Sequence, residues 1–94
     1  MGLEFTKHAI EKVRARHIYE SDVQLALKDP DTRFYDKERQ TFVALKFVRD
    51  RYLVILYTRK NETLRVITVY FSTKIDKLIK SKIGRGAWVK TEKE

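Results

Sequence analysis

The sequence predicts an α+β domain, and three observations predict it. Three apolar runs, residues 41–48, 52–58 and 64–71, follow one another with only short charged gaps. Gaps that short join antiparallel neighbours, because a parallel crossover needs a dozen or more residues. Two amphipathic stretches precede the runs and one follows them. Blocks of helix and strand separated in this way put helices on one side or end of an antiparallel sheet. The order reads α-α-β-β-β-β-α, with two N-terminal helices, a meander of three to four strands and a C-terminal helix.

The first helix starts at Thr6. Thr6 is a good N-cap, and Phe5 and Ile10 occupy the two ends of a hydrophobic staple. Ile10, Val13 and His17 follow at helical spacing, which leaves Glu11, Lys12 and Arg16 outside. The second helix starts at Ser21, which forms a capping box with Gln24; Val23, Ala26 and Leu27 make its inner stripe. Pro30 stops it, since the residue before a proline is pushed out of the helical region.

Residues 33–37 read as a short edge strand whose charges blunt an exposed edge. In the meander, the second and third runs are nearly continuous, which suits central strands covered on both faces. The last helix begins near Thr73, paired with Asp76 as a cap, and presents Ile75, Leu78, Ile79 and Ile83 inward. Gly84 is a natural residue to follow its end. Trp88 gives the next segment a reason to dock back, and residues 90–94 read as a frayed tail.

Ninety-four residues make one domain, residues 1–94, with a single modest core. No window approaches a membrane span, and the start has no apolar signal core, so a cytoplasmic protein with no membrane partner is the simplest reading. The chain has no cysteine, which excludes disulfides and thiolate chemistry. Two histidines and scattered carboxylates give no metal site, and no cofactor is expected. The scarcity of Asn and Gln beside many Lys, Arg and Glu resembles a thermophile's composition. A formal net charge of +8 favours a polyanionic partner, either nucleic acid or an acidic protein. Solubility alone is the competing explanation of that charge.

The meander fixes which side chains share a face. A three-residue turn at residues 49–51 sets Val48 opposite Tyr52 and Lys46 opposite Val54. A two- or four-residue turn around Asn61 adds Arg65, Ile67 and Val69 to that face. The other face collects Leu45, Phe47, Leu53, Ile55, Val66 and Tyr70; being more uniformly apolar, it takes the helices. Lys46 and Arg65 then project from the open face. A guanidinium fork and a mobile ammonium suit phosphate. The alternative is that both stems cover apolar surface while the charges reach solvent at the rim. His8 sits in the first turn of helix 1, where a neutral imidazole can act as a general base or simply bond a neighbouring backbone group. The chain has no Ser/His/Asp spacing, glycine-rich phosphate loop or HExxH.

Two motifs carry a resemblance. Phe5-Thr6-Lys7-His8-Ala9, with Arg14, Arg16, Ile18 and Asp22-Val23 after it, resembles the opening of a widespread small-domain family of unknown function. Val66-Ile67-Thr68-Val69-Tyr70 is similar to that family's later strand. The domain also resembles the RelE/ParE superfamily of toxins, above all BrnT-like toxins, through two helices ahead of a meander, an Asp29-Pro30 step and a strand opening Arg65-Val66-Ile67.

The resemblance implies an mRNA endoribonuclease of a toxin–antitoxin pair. It would act on RNA, free or on the ribosome, and be neutralised by a small acidic antitoxin. The positions that match the family are Arg65 and Lys46; with His8 and Tyr70 they make the expected catalytic set. Arg51, Arg59, Lys74 and Lys77 are the accompanying nucleic-acid contacts. BrnT-like chains carry an arginine near Tyr70, so Tyr70 takes its place only if a bulge turns it to the open face. The competing function is a non-catalytic basic module that binds nucleic acid or an acidic protein.

Overall fold

A computed structural model describes residues 2–91, which form three helices and a six-stranded mixed sheet. The meander is present. Strands β3 (Thr41–Val48), β4 (Arg51–Lys60) and β5 (Thr63–Ser72) are antiparallel neighbours, and β2 (Thr32–Asp36) pairs antiparallel with β3. Two further strands enlarge the expected sheet. β1 (Gly2–Phe5) pairs in parallel with β5, and β6 (Trp88–Lys90) pairs antiparallel with β2, giving the order β1-β5-β4-β3-β2-β6. The strand expected at the edge is therefore covered. Lys90, expected to fray, pairs with Phe34, and the Thr91 N–H donates to the Arg33 carbonyl at 3.0 Å. Residues 92–94 of the expected tail lie outside the described residues.

Helix α1 (Lys7–Ala15) is capped by Thr6 as its sequence predicts, the hydroxyl accepting from the Ala9 N–H at 3.1 Å. It ends in a Schellman arrangement. His17 takes the left-handed position at φ 53°, and the buried Ile18 bonds back to the Val13 carbonyl. Helix α2 (Glu20–Lys28) starts two residues earlier than the capping box implies, with Tyr19 at the N-cap and no side-chain cap. Helix α3 (Ile75–Gly84) is preceded by Lys74 rather than by a Thr73 cap. Its left-handed terminating residue is Gly86 at φ 75°, two positions beyond the expected Gly84.

The first hairpin turn is shorter than the expected three residues. Arg49 and Asp50 alone connect β3 to β4, both with positive φ (48° and 75°), the backbone of a type I′ turn. Lys46 is thus opposite Leu53 and Phe47 opposite Tyr52. A one-residue slip sends every side chain of a strand to the other face. Lys46 joins the Leu53 and Ile55 face, while Leu45 and Phe47 move to the Tyr52 and Val54 face.

Each face has its own core. Helices α1 and α2 bury Ala9, Val23, Ala26 and Leu27 against Leu53, Ile55, Tyr57 and Val66. On the opposite face, Val43, Leu45, Val54 and Leu56 are covered by Trp88 and by Ile75, Leu78 and Ile79 of α3. The helices therefore occupy both faces rather than one side or end. Of the residues expected under helices 1 and 2, Ile55 and Val66 are there and Leu45 is not. Each fully buried large side chain contributes about 1.5–3 kcal/mol, so losing α3 and Trp88 would uncover the second core.

Candidate functional site

The site is assembled by a bulge. Leu56 pairs with Thr68 but Tyr57 pairs with Val66, so Ile67 is an extra residue in β5. Beyond it the alternation of β5 is inverted. Val69 turns to the α1–α2 core, and Tyr70 turns to the opposite face, where it packs on the core that α3 covers. Thr6 holds the bulge in place. Its N–H donates to the Val66 carbonyl at 3.0 Å and its hydroxyl to the Ile67 carbonyl at 3.1 Å. The same hydroxyl that caps α1 therefore ties the helix to the irregularity in β5.

A cleft of about 700 Å³ opens at this junction. Its floor is Thr41, Leu56 and Thr68, with Ile67 and Tyr70 along the β5 side. Helix α1 supplies His8 and Lys12, its C-cap residue is Arg16, and Arg39 comes from the β2–β3 turn. His8, Lys12 and Arg16 are four residues apart in succession, so they form one stripe of the helix. Among the described residues, no carboxylate lines the cleft. The Thr41 hydroxyl is buried and, among the described residues, bonds to no protein group. Burial of Tyr70 raises its phenol above the usual value; the Arg39 charge acts the other way and Asp36 adds to the rise. Tyr70 is thus a neutral O–H donor at neutral pH.

Arg39 is placed by a built turn. Asp36 is buried, and its Oδ1 accepts from the Glu38 and Arg39 N–H groups at 2.9 Å each. Its Oδ2 accepts from the Trp88 indole N–H at 3.1 Å. Gln40 at φ 55° then returns the chain into β3. The carboxylate is a fixed anchor for the turn that carries Arg39.

Of the four expected catalytic residues, the fold brings His8 and Tyr70 to this cleft. It does not bring Lys46 and Arg65 together. Lys46 lies on the opposite face, 3.3 Å from Asp31 Oδ1 and 3.5 Å from Asp29 Oδ2. Desolvation opposes its charge, but the two aspartates outweigh it and its pKa is raised. Those carboxylates would repel a phosphate. Arg65 pairs across the sheet with Thr58 and Glu4, with Nε 3.7 Å from Glu4 Oε1. The expectation that these two cations share one face is corrected by the short turn.

The expected nucleic-acid contacts are dispersed. Arg51 stacks over the Phe71 ring at 3.7 Å, and Arg59 bonds the Asn61 carbonyl at 3.5 Å near the other end of β4. Eight residues of strand separate them by about 26 Å. Lys74 precedes α3, its N–H donating to Ser72 Oγ at 3.2 Å, and Lys77 is exposed on that helix. Sequence reasoning missed Lys12, Arg16 and Arg39. The signal for the first two was present, since both continue the spacing of four that begins at His8. Among the described residues no cluster of three His, Cys, Asp or Glu side chains could hold a metal ion.

A family model described as a domain of unknown function (DUF4258) matches residues 5–71. The chain belongs to this family. The DUF4258 match runs from the staple residue Phe5 to the end of β5, so every residue lining the cleft falls within it. Helix α3 and β6 lie beyond. The sequence expectation of a small-domain family of unknown function is met at that level. No curated protein and no solved structure matches the chain. Among the described residues, no helix is long and apolar enough to cross a membrane.

Proposed function

We propose that the chain is an endoribonuclease of the RelE/ParE type, the toxin of a toxin–antitoxin pair, and that the cleft beside α1 is its active site. The observation that carries the reading is the convergence of His8, Lys12, Arg16, Arg39 and Tyr70 on one cleft that, among the described residues, has no carboxylate in its lining. Fixed cations stabilise the negative charge that accumulates when a phosphodiester is attacked. In this reading the nucleophile is the RNA's own 2′-hydroxyl. Its oxygen bonds to phosphorus, its proton passes to the His8 imidazole, and the bond from phosphorus to O5′ breaks. Tyr70 gives O5′ its proton. The products are a 2′,3′-cyclic phosphate and a 5′-hydroxyl. Lys12, Arg16 and Arg39 hold the non-bridging oxygens.

The test incubates the purified protein with RNA and, separately, with translating ribosomes, and maps new ends. Cleavage that leaves cyclic phosphate ends and disappears in His8→Ala supports the reading. Intact RNA in both incubations refutes it. A second reading is favoured by the separation of Lys46 from Arg65, because the pair implied by the toxin resemblance is not assembled. In that reading the cleft binds RNA, or an acidic partner such as an antitoxin, without chemistry.

A further inference from the structure

We propose that α3 is a second RNA-binding surface, which holds the backbone of single-stranded RNA outside the cleft. The inference rests on the RNA partner of the reading above but not on cleavage. Between Thr73 and Thr91 the chain carries Lys74, Lys77, Lys80, Lys82, Arg85 and Lys90 against the single acid Asp76. Arg85 is committed to Glu38 at 3.0 Å, and Lys82 lies 5.9 Å from the centre of the Trp88 ring. Lys77 and Lys80 are different. Both are exposed, and neither is in an ion pair among the described residues.

The geometry of the helix separates two jobs. Ile75, Leu78 and Ile79 face the sheet and pack on its second core. Helical spacing then puts Lys77 and Lys80 on the outer face. Tyr70, which lines the cleft, packs on the same second core as Ile75, Leu78 and Ile79, so α3 covers the sheet face to which Tyr70 turns. In this proposal the lysines of α3 hold a polyanion that leaves the cleft on that face. The DUF4258 match ends at Phe71, so this surface lies in the part of the chain outside that match. Nothing on α3 suits base recognition. Lysine is a mobile point charge, so the contact is to phosphate and indifferent to sequence.

The test measures binding of a fluorescent single-stranded RNA to the full chain across a salt series. Wild type is compared with the double variant Lys77→Gln/Lys80→Gln and with Lys28→Gln. Each neutralised phosphate contributes about 0.7 to the slope of log affinity against log salt on single strands, so losing two contacts lowers the slope by about 1.4. The double variant is expected to bind several-fold more weakly at low salt, with that smaller slope and an unchanged melting temperature. Lys28→Gln, at the end of α2 on the other side of the sheet, is expected to keep the wild-type slope. A wild-type slope and affinity in the double variant overturn the proposal. So does a wild type that captures an acidic protein yet binds no RNA. If the slope falls as expected while wild type cleaves nothing, the surface stands and the nuclease reading fails.

Discussion

The Thr6 hydroxyl accepts from the Ala9 N–H and donates to the Ile67 carbonyl, each at 3.1 Å. One side chain thereby fixes the start of α1, which carries His8, to the bulge that turns Tyr70 toward the cleft. Both bonds are used, because a hydroxyl has one proton to give and lone pairs to receive.

Replacing Thr6 by valine keeps the shape and removes both bonds. Loss of the cap costs about 1 kcal/mol, and loss of the bond to Ile67 about another 1 kcal/mol. Thr6→Val is expected to lower unfolding stability by about 2 kcal/mol in urea titrations, whereas Thr6→Ser keeps most of it. If the serine variant loses as much as the valine variant, the hydroxyl is not the tie.

Trp88 tests whether the C-terminal strand is structural. Its indole N–H bonds Asp36, and its ring stacks on Phe34 at 5.2 Å between centroids. Trp88→Phe keeps an aromatic ring there and deletes the N–H. Bonds to charged acceptors contribute about 1.5–3 kcal/mol, so chemical unfolding should show a loss in that range. An unchanged midpoint would mean that Asp36 is satisfied by the turn N–H groups alone.

The sequence made some of this legible and hid the rest for definable reasons. Short gaps announced the meander, and Thr6 announced the start of α1. The register was hidden because Arg49 and Asp50 adopt positive φ without the Asn-Gly signature that marks a two-residue turn. That single slip moved Lys46 away from Arg65. β1 and β6 are four and three residues long, too short for a periodicity to declare them. The bulge at Ile67 has no local marker, since its tie to Thr6 spans 61 residues. Two of the expected site residues, His8 and Tyr70, reach the cleft only because of that long-range tie.

The cleft and the Arg65 position make opposite kinetic predictions. Removing a general base typically costs 10²–10⁴-fold. His8→Ala is expected to lose about that much in single-turnover RNA cleavage, and Arg39→Ala about 10²-fold or more. Arg65→Ala should retain near-wild-type cleavage, since its guanidinium is paired with Glu4 and lines no part of the cleft. Full activity in His8→Ala together with an inactive Arg65→Ala would move the chemistry to the β1–β5 side.

Tyr70 joins the stability of the fold to the proposed chemistry, and pH separates the two. Burial favours the neutral phenol in the folded protein, so its pKa lies above the unfolded value of about 10. Below that value both states are protonated, and the favourable contribution of the neutral phenol is fully present. As pH rises through about 10, the unfolded chain releases its proton first, and stability is lost until the folded pKa is passed. Tyr70→Phe has no proton to lose. The stability difference between wild type and Tyr70→Phe is therefore expected to be constant from about pH 6 to 9 and to shift in favour of phenylalanine above about 10. Parallel curves through that range would show that Tyr70 titrates as a solvent-exposed phenol. Cleavage at pH 7 should fall about 10²-fold in the same variant, because the acid that protonates O5′ is gone. A variant that keeps full cleavage while showing the pH shift would leave Tyr70 as a packing residue and pass the acid role to Lys12.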